Sequence, residues 1–290
     1  MSERDDAGDG TGPAPGLQSR LGSDFATRLL AGLAMAAVAA GFTFSGTVPF
    51  AVLVAAVAML LSWEWSRLVH GREADAVVVV TVVTAGAAAV LAAVGFVGLG
   101  LLALPIGAIL AMLLSLGRNS VFSALGVFYA GLPAVALIWL RSDVALGLLA
   151  VIFVIVIVAT SDTVAFITGR LLQGPRLWPR VSPNKTWSGL IGALLASTVV
   201  AALFWFAVPG ASAVRLAATG TVLSLVAQAG DLAESAIKRR FGAKDTSTLI
   251  PGHGGIMDRV DGLVAAASAV GLAAFVINVH SPAHALLLGY

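Results

Sequence analysis

The segment VIFVIVIVATSDT, residues 151–163, decides how this chain must fold. Its unbroken apolar run, Val151 to Ala159, leads into Thr160, Ser161 and Asp162. Extended to its apolar limits it covers Val144 to Thr168, enough for the ~20 residues that a helix needs to cross a bilayer core. An acid at or near membrane depth costs ~2.5 to 3.5 kcal/mol even on the lenient insertion scale. Asp162 therefore reads as a functional group, against the alternative of a satisfied interhelical hydrogen bond.

The same apolar character holds along the chain in both directions. Of its 290 residues 59% are hydrophobic, and the mean hydropathy of +0.97 lies well above that of a soluble globular domain. On the bilayer ruler the chain divides into about nine spans: Arg28–Ser45, Val48–Val69, Ala76–Val94, Val97–Leu116, Val121–Leu140, Val144–Thr168, Trp187–Val208, Ala213–Ala229 and Gly262–Val279. The expected fold is all-α, a polytopic integral membrane protein with no separate soluble domain. Joints such as Gly46–Pro49 and Pro209–Ser212 suit tight hairpins, while Gly95, Gly98 and Gly100 read as helix-packing positions. Residues 1–24, rich in Gly, Pro and Asp, read as a disordered cytoplasmic tail, and residues 25–290 as one transmembrane domain. The tail's acidic start and the length of the first apolar stretch argue against a cleaved signal peptide. Cysteine is absent, which excludes disulfides and thiolate metal sites.

Charge sets the orientation. With the N-terminus inside and the C-terminus outside, all of the 17 Lys and Arg except Arg141 and Arg215 face the cytoplasm, as the positive-inside rule requires. Adding or removing one early helix would destroy that asymmetry.

Two polar segments then fall on the cytoplasmic face, residues 160–189 and 230–261. The second, GDLAESAIKRRFGAKDTSTLIPGHGGIMDRVD, sets Asp231, Glu234, Asp245, Asp258 and Asp261 among Lys238, Arg239, Arg240, Lys244 and Arg259, in a chain only 11% charged. Interleaved carboxylates and cations suit a hard divalent metal together with a polyphosphate. A solvated loop obeying the positive-inside rule would account for the bases alone and leaves the acids unexplained. Asp231 at the end of the eighth span and Asp258 just before the ninth could share a metal if the loop folds back. In the first segment, Ser182-Pro183-Asn184-Lys185-Thr186 places a turn, a cation and a hydroxyl at the start of the seventh helix. That arrangement suits either a phosphate or ordinary N-capping with Lys185 as a topology charge.

Other polar residues carry less. Glu64 and Arg67, flanked by Trp63 and Trp65, read as an interfacial belt with a local ion pair. His280 and His284 have the spacing of two ligands on one helix face but no nearby carboxylate in the sequence, and Arg141 with Asp143 reads as a short external loop.

The run Ser235, Lys238, Arg239, Lys244, Asp245, Pro251, His253, Gly254, Gly255, Asp258, Arg259, Asp261 matches at every spacing the signature of the phosphatidate cytidylyltransferases, or CDP-diacylglycerol synthases. Asp162-Thr163, Gly169-Arg170, Ser182-Pro183 and Lys185-Thr186 resemble a second block of that family. One departure is Ser188, where many members are expected to carry Glu. The resemblance implies an enzyme that joins CTP to phosphatidic acid with Mg²⁺, releasing pyrophosphate and forming CDP-diacylglycerol for phospholipid biosynthesis.

It implies Asp231 and Asp258 as metal ligands, with Asp245 and Asp261 bracing them or holding a second cation. Lys238, Arg239, Lys244 and Arg259 would hold the triphosphate and the lipid phosphate, in an unassigned division. Asp162, Ser182, Lys185, Thr186 and Ser235 would complete the pocket. His253, with Gly254 and Gly255, would donate to a phosphate or shape the loop. The lipid must enter sideways from the bilayer. The expected location is the inner (plasma) membrane with the site facing the cytoplasm, and no nucleic-acid partner is expected. Many small residues in the helices suit a homodimer and suit intramolecular packing equally. Two rivals stand beside this reading: a CTP-using lipid kinase, which would leave CDP, and a secondary transporter, whose acids would bind coupling ions at the midplane.

Overall fold

Segments with mean hydropathies between 1.3 and 2.5 offer little to water, so their backbone polar groups must be satisfied internally, as helices. The computed structural model of the protein describes residues 32–71, 74–115, 117, 119–247 and 254–290. The proposed tail, the first residues of the first span, Pro251 and His253 lie outside them. The described helices are α1 (Gly32–Phe44), α2 (Thr47–His70), α3 (Ala76–Ala93), α4 (Val97–Leu114), α5 (Ser120–Ser142), α6 (Gly147–Leu172), α7 (Trp187–Leu203), α8 (Ala213–Arg240), α9 (Met257–Ile277) and α10 (Pro282–Leu287). Among the described residues, eight of these are long and apolar enough to cross a membrane, and α1 is a shorter apolar helix. The expectation of an all-α polytopic membrane protein holds.

Helices α2 to α5 pack as one group and α6 to α8 as another, with α9 between α5 and α8. Small residues make the close approaches, because no hydrophobic drive separates helix from lipid and packing must supply the attraction. Ala85, Ala88 and Ala89 are fully buried on α3, and a Cβ at Gly100 would come within 2.8 Å of the Ala88 carbonyl oxygen. Of the three glycines read as packing positions, Gly100 alone fills that role. Gly95 turns the α3–α4 joint at φ 92°, and a Cβ at Gly98 would meet nothing. Large apolar side chains such as Leu113, Val199 and Leu195 point outward, as a lipid-facing surface requires.

Three features depart from the sequence reading, and each bears on the polar face. α8 continues past Ala229 to Arg240, and α9 begins at Met257 instead of Gly262. The apolar ruler cannot see the α8 extension, which is supported by polar i,i+4 pairs: Ser235 with Asp231 at 3.4 Å and Lys238 with Glu234 at 2.9 Å. Between α6 and α7 stands a small antiparallel hairpin of β1 (Arg176–Trp178) and β2 (Ser182–Thr186), pairing Arg176 with Thr186 and Trp178 with Ser182.

At the opposite end, His284 has the carboxylate that the sequence did not place near it. Its Nδ1 lies 3.0 Å from Asp143 Oδ2, brought there from the α5–α6 joint.

Candidate active site

The middle of α6, the β-hairpin, the start of α7 and the C-terminal half of α8 enclose a cavity of about 290 Å³, lined in part by Asp162, Ser182, Asn184, Lys185, Gln228 and Asp231. Lys185 is its centre. The Nζ lies 2.6 Å from Asp231 Oδ2 and donates to Gln228 Oε1 at 3.2 Å and to the Gln228 carbonyl at 3.4 Å. The Gln228 amide then donates to Asp162 Oδ1 at 3.0 Å and to Ser161 Oγ at 3.2 Å. Ser224 donates to the same Ser161 hydroxyl at 2.9 Å. The chain thus runs Asp162–Gln228–Lys185–Asp231 and satisfies a polar site that would otherwise be costly at this depth.

Of the two readings of the Ser182–Thr186 run, the N-cap is observed directly. Lys185 and Thr186 line the cavity, and Thr186 also caps α7, its Oγ1 accepting from the Gly189 amide at 3.1 Å. Ser188 acts locally. Its hydroxyl donates to the Gln173 carbonyl and lies 3.0 Å from Thr186 Oγ1, tying the end of α6 to the start of α7.

A second knot lies at the start of α9. Asp258 Oδ1 meets Lys238 Nζ at 2.6 Å, while Oδ2 accepts from the Gly255 amide at 2.9 Å and from the Thr246 amide and hydroxyl at 3.1 Å. Lys238 also reaches Glu234 Oε1 at 2.9 Å, and Glu234 Oε2 accepts from the Tyr129 hydroxyl at 2.9 Å. Lys238 is therefore shared by two carboxylates. The paired glycines have a steric reason. A Cβ on Gly254 would come within 3.0 Å of Asp258 Oδ2, and one on Gly255 would sit 2.1 Å from Thr246 Oγ1.

Glu64 and Trp65 belong to the interior, which corrects the interfacial reading of that stretch. Glu64 is fully buried, and its carboxylate accepts from Ser247 Oγ at 2.6 Å, Ile256 N at 3.0 Å and Met257 N at 2.7 Å. Trp65 is buried too; its indole donates to the Phe122 carbonyl at 2.7 Å and its ring lies 4.7 Å from that of Tyr129. The Trp63 ring carries the Arg67 guanidinium at 5.4 Å.

The remaining expected residues fall around these two knots. Asp261, on the first turns of α9, accepts from the Gly262 amide at 2.7 Å and lies within electrostatic reach of Asp231, Glu234 and Asp162. Arg239 donates to the Ala243 carbonyl at 3.3 Å beyond the end of α8. Lys244, Asp245 and Arg259 are exposed at the same face. Glu64, Tyr129, Gln228 and Glu234 take part without having been among the expected site residues. A glutamine inside an expected span, Gln228, was the available signal for one of them. Among the described residues no three His, Asp or Glu side chains converge as a ready-made metal cage.

The family model described as the cytidylyltransferase family matches residues 26–277. A Brucella abortus protein named phosphatidate cytidylyltransferase is 38% identical over 257 residues, covering 85% of this chain and 92% of the relative. A protein of the same name from Staphylococcus haemolyticus is 40% identical over 144 residues, 49% of this chain and 54% of that relative.

Proposed function

The chain belongs to the cytidylyltransferase family, and on that footing we propose that it transfers the cytidylyl group of CTP to phosphatidic acid, giving CDP-diacylglycerol and pyrophosphate in phospholipid biosynthesis. The observation that carries this reading is the cavity that unites Asp162, Lys185 and Asp231, drawn from two polar segments far apart in the chain. A phosphate oxygen of phosphatidic acid attacks the α-phosphorus of CTP, and the bond to the bridging oxygen of pyrophosphate breaks. No strong base is needed, since the second pKa of a phosphomonoester is ~6. Two anions must meet, so the protein's work is chiefly alignment and neutralisation.

Lys185, already oriented by Asp231 and Gln228, faces the entering phosphates in the cavity. Arg239, Lys244 and Arg259 supply cations at its cytoplasmic mouth, and Lys238 joins them from between Glu234 and Asp258. Asp231 and Asp258 each have the donor chemistry for a magnesium ion, a hard carboxylate oxygen with an ammonium at 2.6 Å, the place a cation takes, although they stand in separate knots on different lysines. Mg²⁺ ordinarily takes one or two carboxylates and leaves its other positions to water and substrate phosphate, so a three-carboxylate cage is unnecessary. When bound, the ion would neutralise charge developing on the leaving pyrophosphate. Asp261 and Asp245 stand by as braces or as ligands of a second cation. The multi-pass chain sits in the inner membrane with this face toward the cytoplasm, and the acyl chains stay in the bilayer while the headgroup enters sideways.

The experiment is reconstitution of purified protein with phosphatidic acid, Mg²⁺ and CTP labelled at the α-phosphate, comparing wild type with Asp231→Asn and Asp258→Asn. Label should pass into lipid with release of pyrophosphate, and both variants should lose at least about 100-fold of that rate. Unlabelled lipid with accumulating CDP would replace the reading with a CTP-dependent lipid kinase.

A further inference from the structure

Glu64 lies on α2, in the half of the bundle that lends no side chain to the cavity, yet it is among the most enclosed charged residues of the protein. A carboxylate accepts at both oxygens and donates nothing. Here the donors come from both sides of the polar loop before α9. Ser247 Oγ and Ile256 N reach Oε1 at 2.6 and 3.0 Å, and Met257 N and Thr246 Oγ1 reach Oε2 at 2.7 and 3.4 Å. Ile256 and Met257 open α9, where amides lack helical partners and the dipole favours a negative charge. An acid normally caps its own helix from the preceding turn. This one comes from a different helix, 192 and 193 residues earlier in the chain than the amides it holds.

Asp258 is the residue immediately after this anchored pair. Its Oδ2 shares the Thr246 hydroxyl with Glu64, and Gly255 has no room for a Cβ between that hydroxyl and the two Glu64 oxygens. The position of Asp258 is thus defined from one side by Lys238 and from the other by whatever holds Thr246, Gly255 and Ile256. We propose that Glu64 is a positioning residue for the transfer reaction, clamping the start of α9 so that the Asp258 carboxylate is presented in working geometry. The inference rests on the cytidylyl-transfer reading for its kinetic consequence, and on the hydrogen bonds alone for its structural one.

Glu64→Gln keeps the volume but turns one acceptor into an amide donor facing backbone N–H groups, so the clamp is broken without opening a cavity. Two readouts separate the possibilities. Hydrogen exchange of the amides at 255–258 should accelerate at least about 10-fold in the variant, with α3, α4 and α7 unchanged. In the labelled-CTP assay kcat should fall about 100-fold, the scale of a 1 Å misplacement, while KM for CTP stays within about threefold. Because Glu64→Gln could impair folding, Ser247→Ala serves as the milder variant, removing one donor to Glu64 Oε1. Its effects should be in the same direction, and smaller in the Glu64→Gln background than in the wild type.

The proposal is overturned if 255–258 exchange is unchanged in both variants, or if exchange accelerates while kcat holds within twofold. A wild-type protein that leaves phosphatidic acid unlabelled would instead overturn the cytidylyl-transfer reading, and the exchange result would still decide whether Glu64 clamps α9.

Discussion

Asp258 shows how little of a residue's role is settled by its type. It sits in a signature that implies a metal ligand, and the structure surrounds it with Lys238, Thr246 and Gly255. These partners orient the carboxylate, with the Lys238 ammonium at Oδ1 and the Gly255 and Thr246 amides at Oδ2. The glycine before it is constrained just as tightly. Gly255→Ala would drive a methyl to 2.1 Å from Thr246 Oγ1 and to 2.7 and 2.8 Å from the Glu64 oxygens, in a knot built of backbone and short side chains. Overpacking of this kind costs about 1–3 kcal/mol. The variant should melt several degrees lower in detergent and lose most of its transfer activity; full activity with unchanged melting would show that the knot yields easily.

At the scale of the element, helix ends are where this protein does its positioning. α7 is capped by Thr186, α9 by the distant Glu64, and at the opposite face the turn leading into α6 is held by Asp143, which accepts from the amides of Ala145 and Leu146 at 3.1 Å. Burial pushes the Asp143 carboxyl upward, but the Leu146 amide and the His284 ring beside it outweigh that push and hold it below the usual carboxylate range. A depressed folded-state value means stability that is present above the unfolded pKa of ~3.9 and is lost as pH falls through the folded value. Asp143→Asn should therefore lower the melting temperature at neutral pH, and the gap to wild type should close below about pH 4. A gap that persists unchanged at pH 3 would mean that the ionised carboxylate contributes nothing there.

For the whole molecule, two helix groups meet along α9, and the reaction face is assembled where they meet. Glu64 and Tyr129 reach in from α2 and α5, while the cavity belongs to α6, α7 and α8. The absence of cysteine makes the orientation directly testable. Val144→Cys in the fully exposed α5–α6 joint should react with a membrane-impermeant maleimide on intact cells, and Arg180→Cys in the hairpin only after permeabilisation. The reverse pattern would invert the topology and put the cavity on the wrong side for CTP.

That the chain is a bundle of membrane-length helices was legible because each span carries its own hydrophobic signal; the count was less so, since about nine spans were expected and, among the described residues, eight helices are long and apolar enough to cross a membrane beside the shorter α1. The polar segments stood out against an apolar background, and Asp162, Lys185 and Asp231 do line one cavity. What the sequence determined, then, was each quantity set by local composition and spacing. Tertiary structure alone decided the partners: that Gln228 bridges Asp162 to Lys185, that Lys238 divides itself between Glu234 and Asp258, and that Glu64 leaves its apparent interface to hold α9. In a bilayer every buried polar group must find a partner inside the protein. Which partner it finds depends on how helices far apart in sequence come to lie side by side, and no local pattern encodes that.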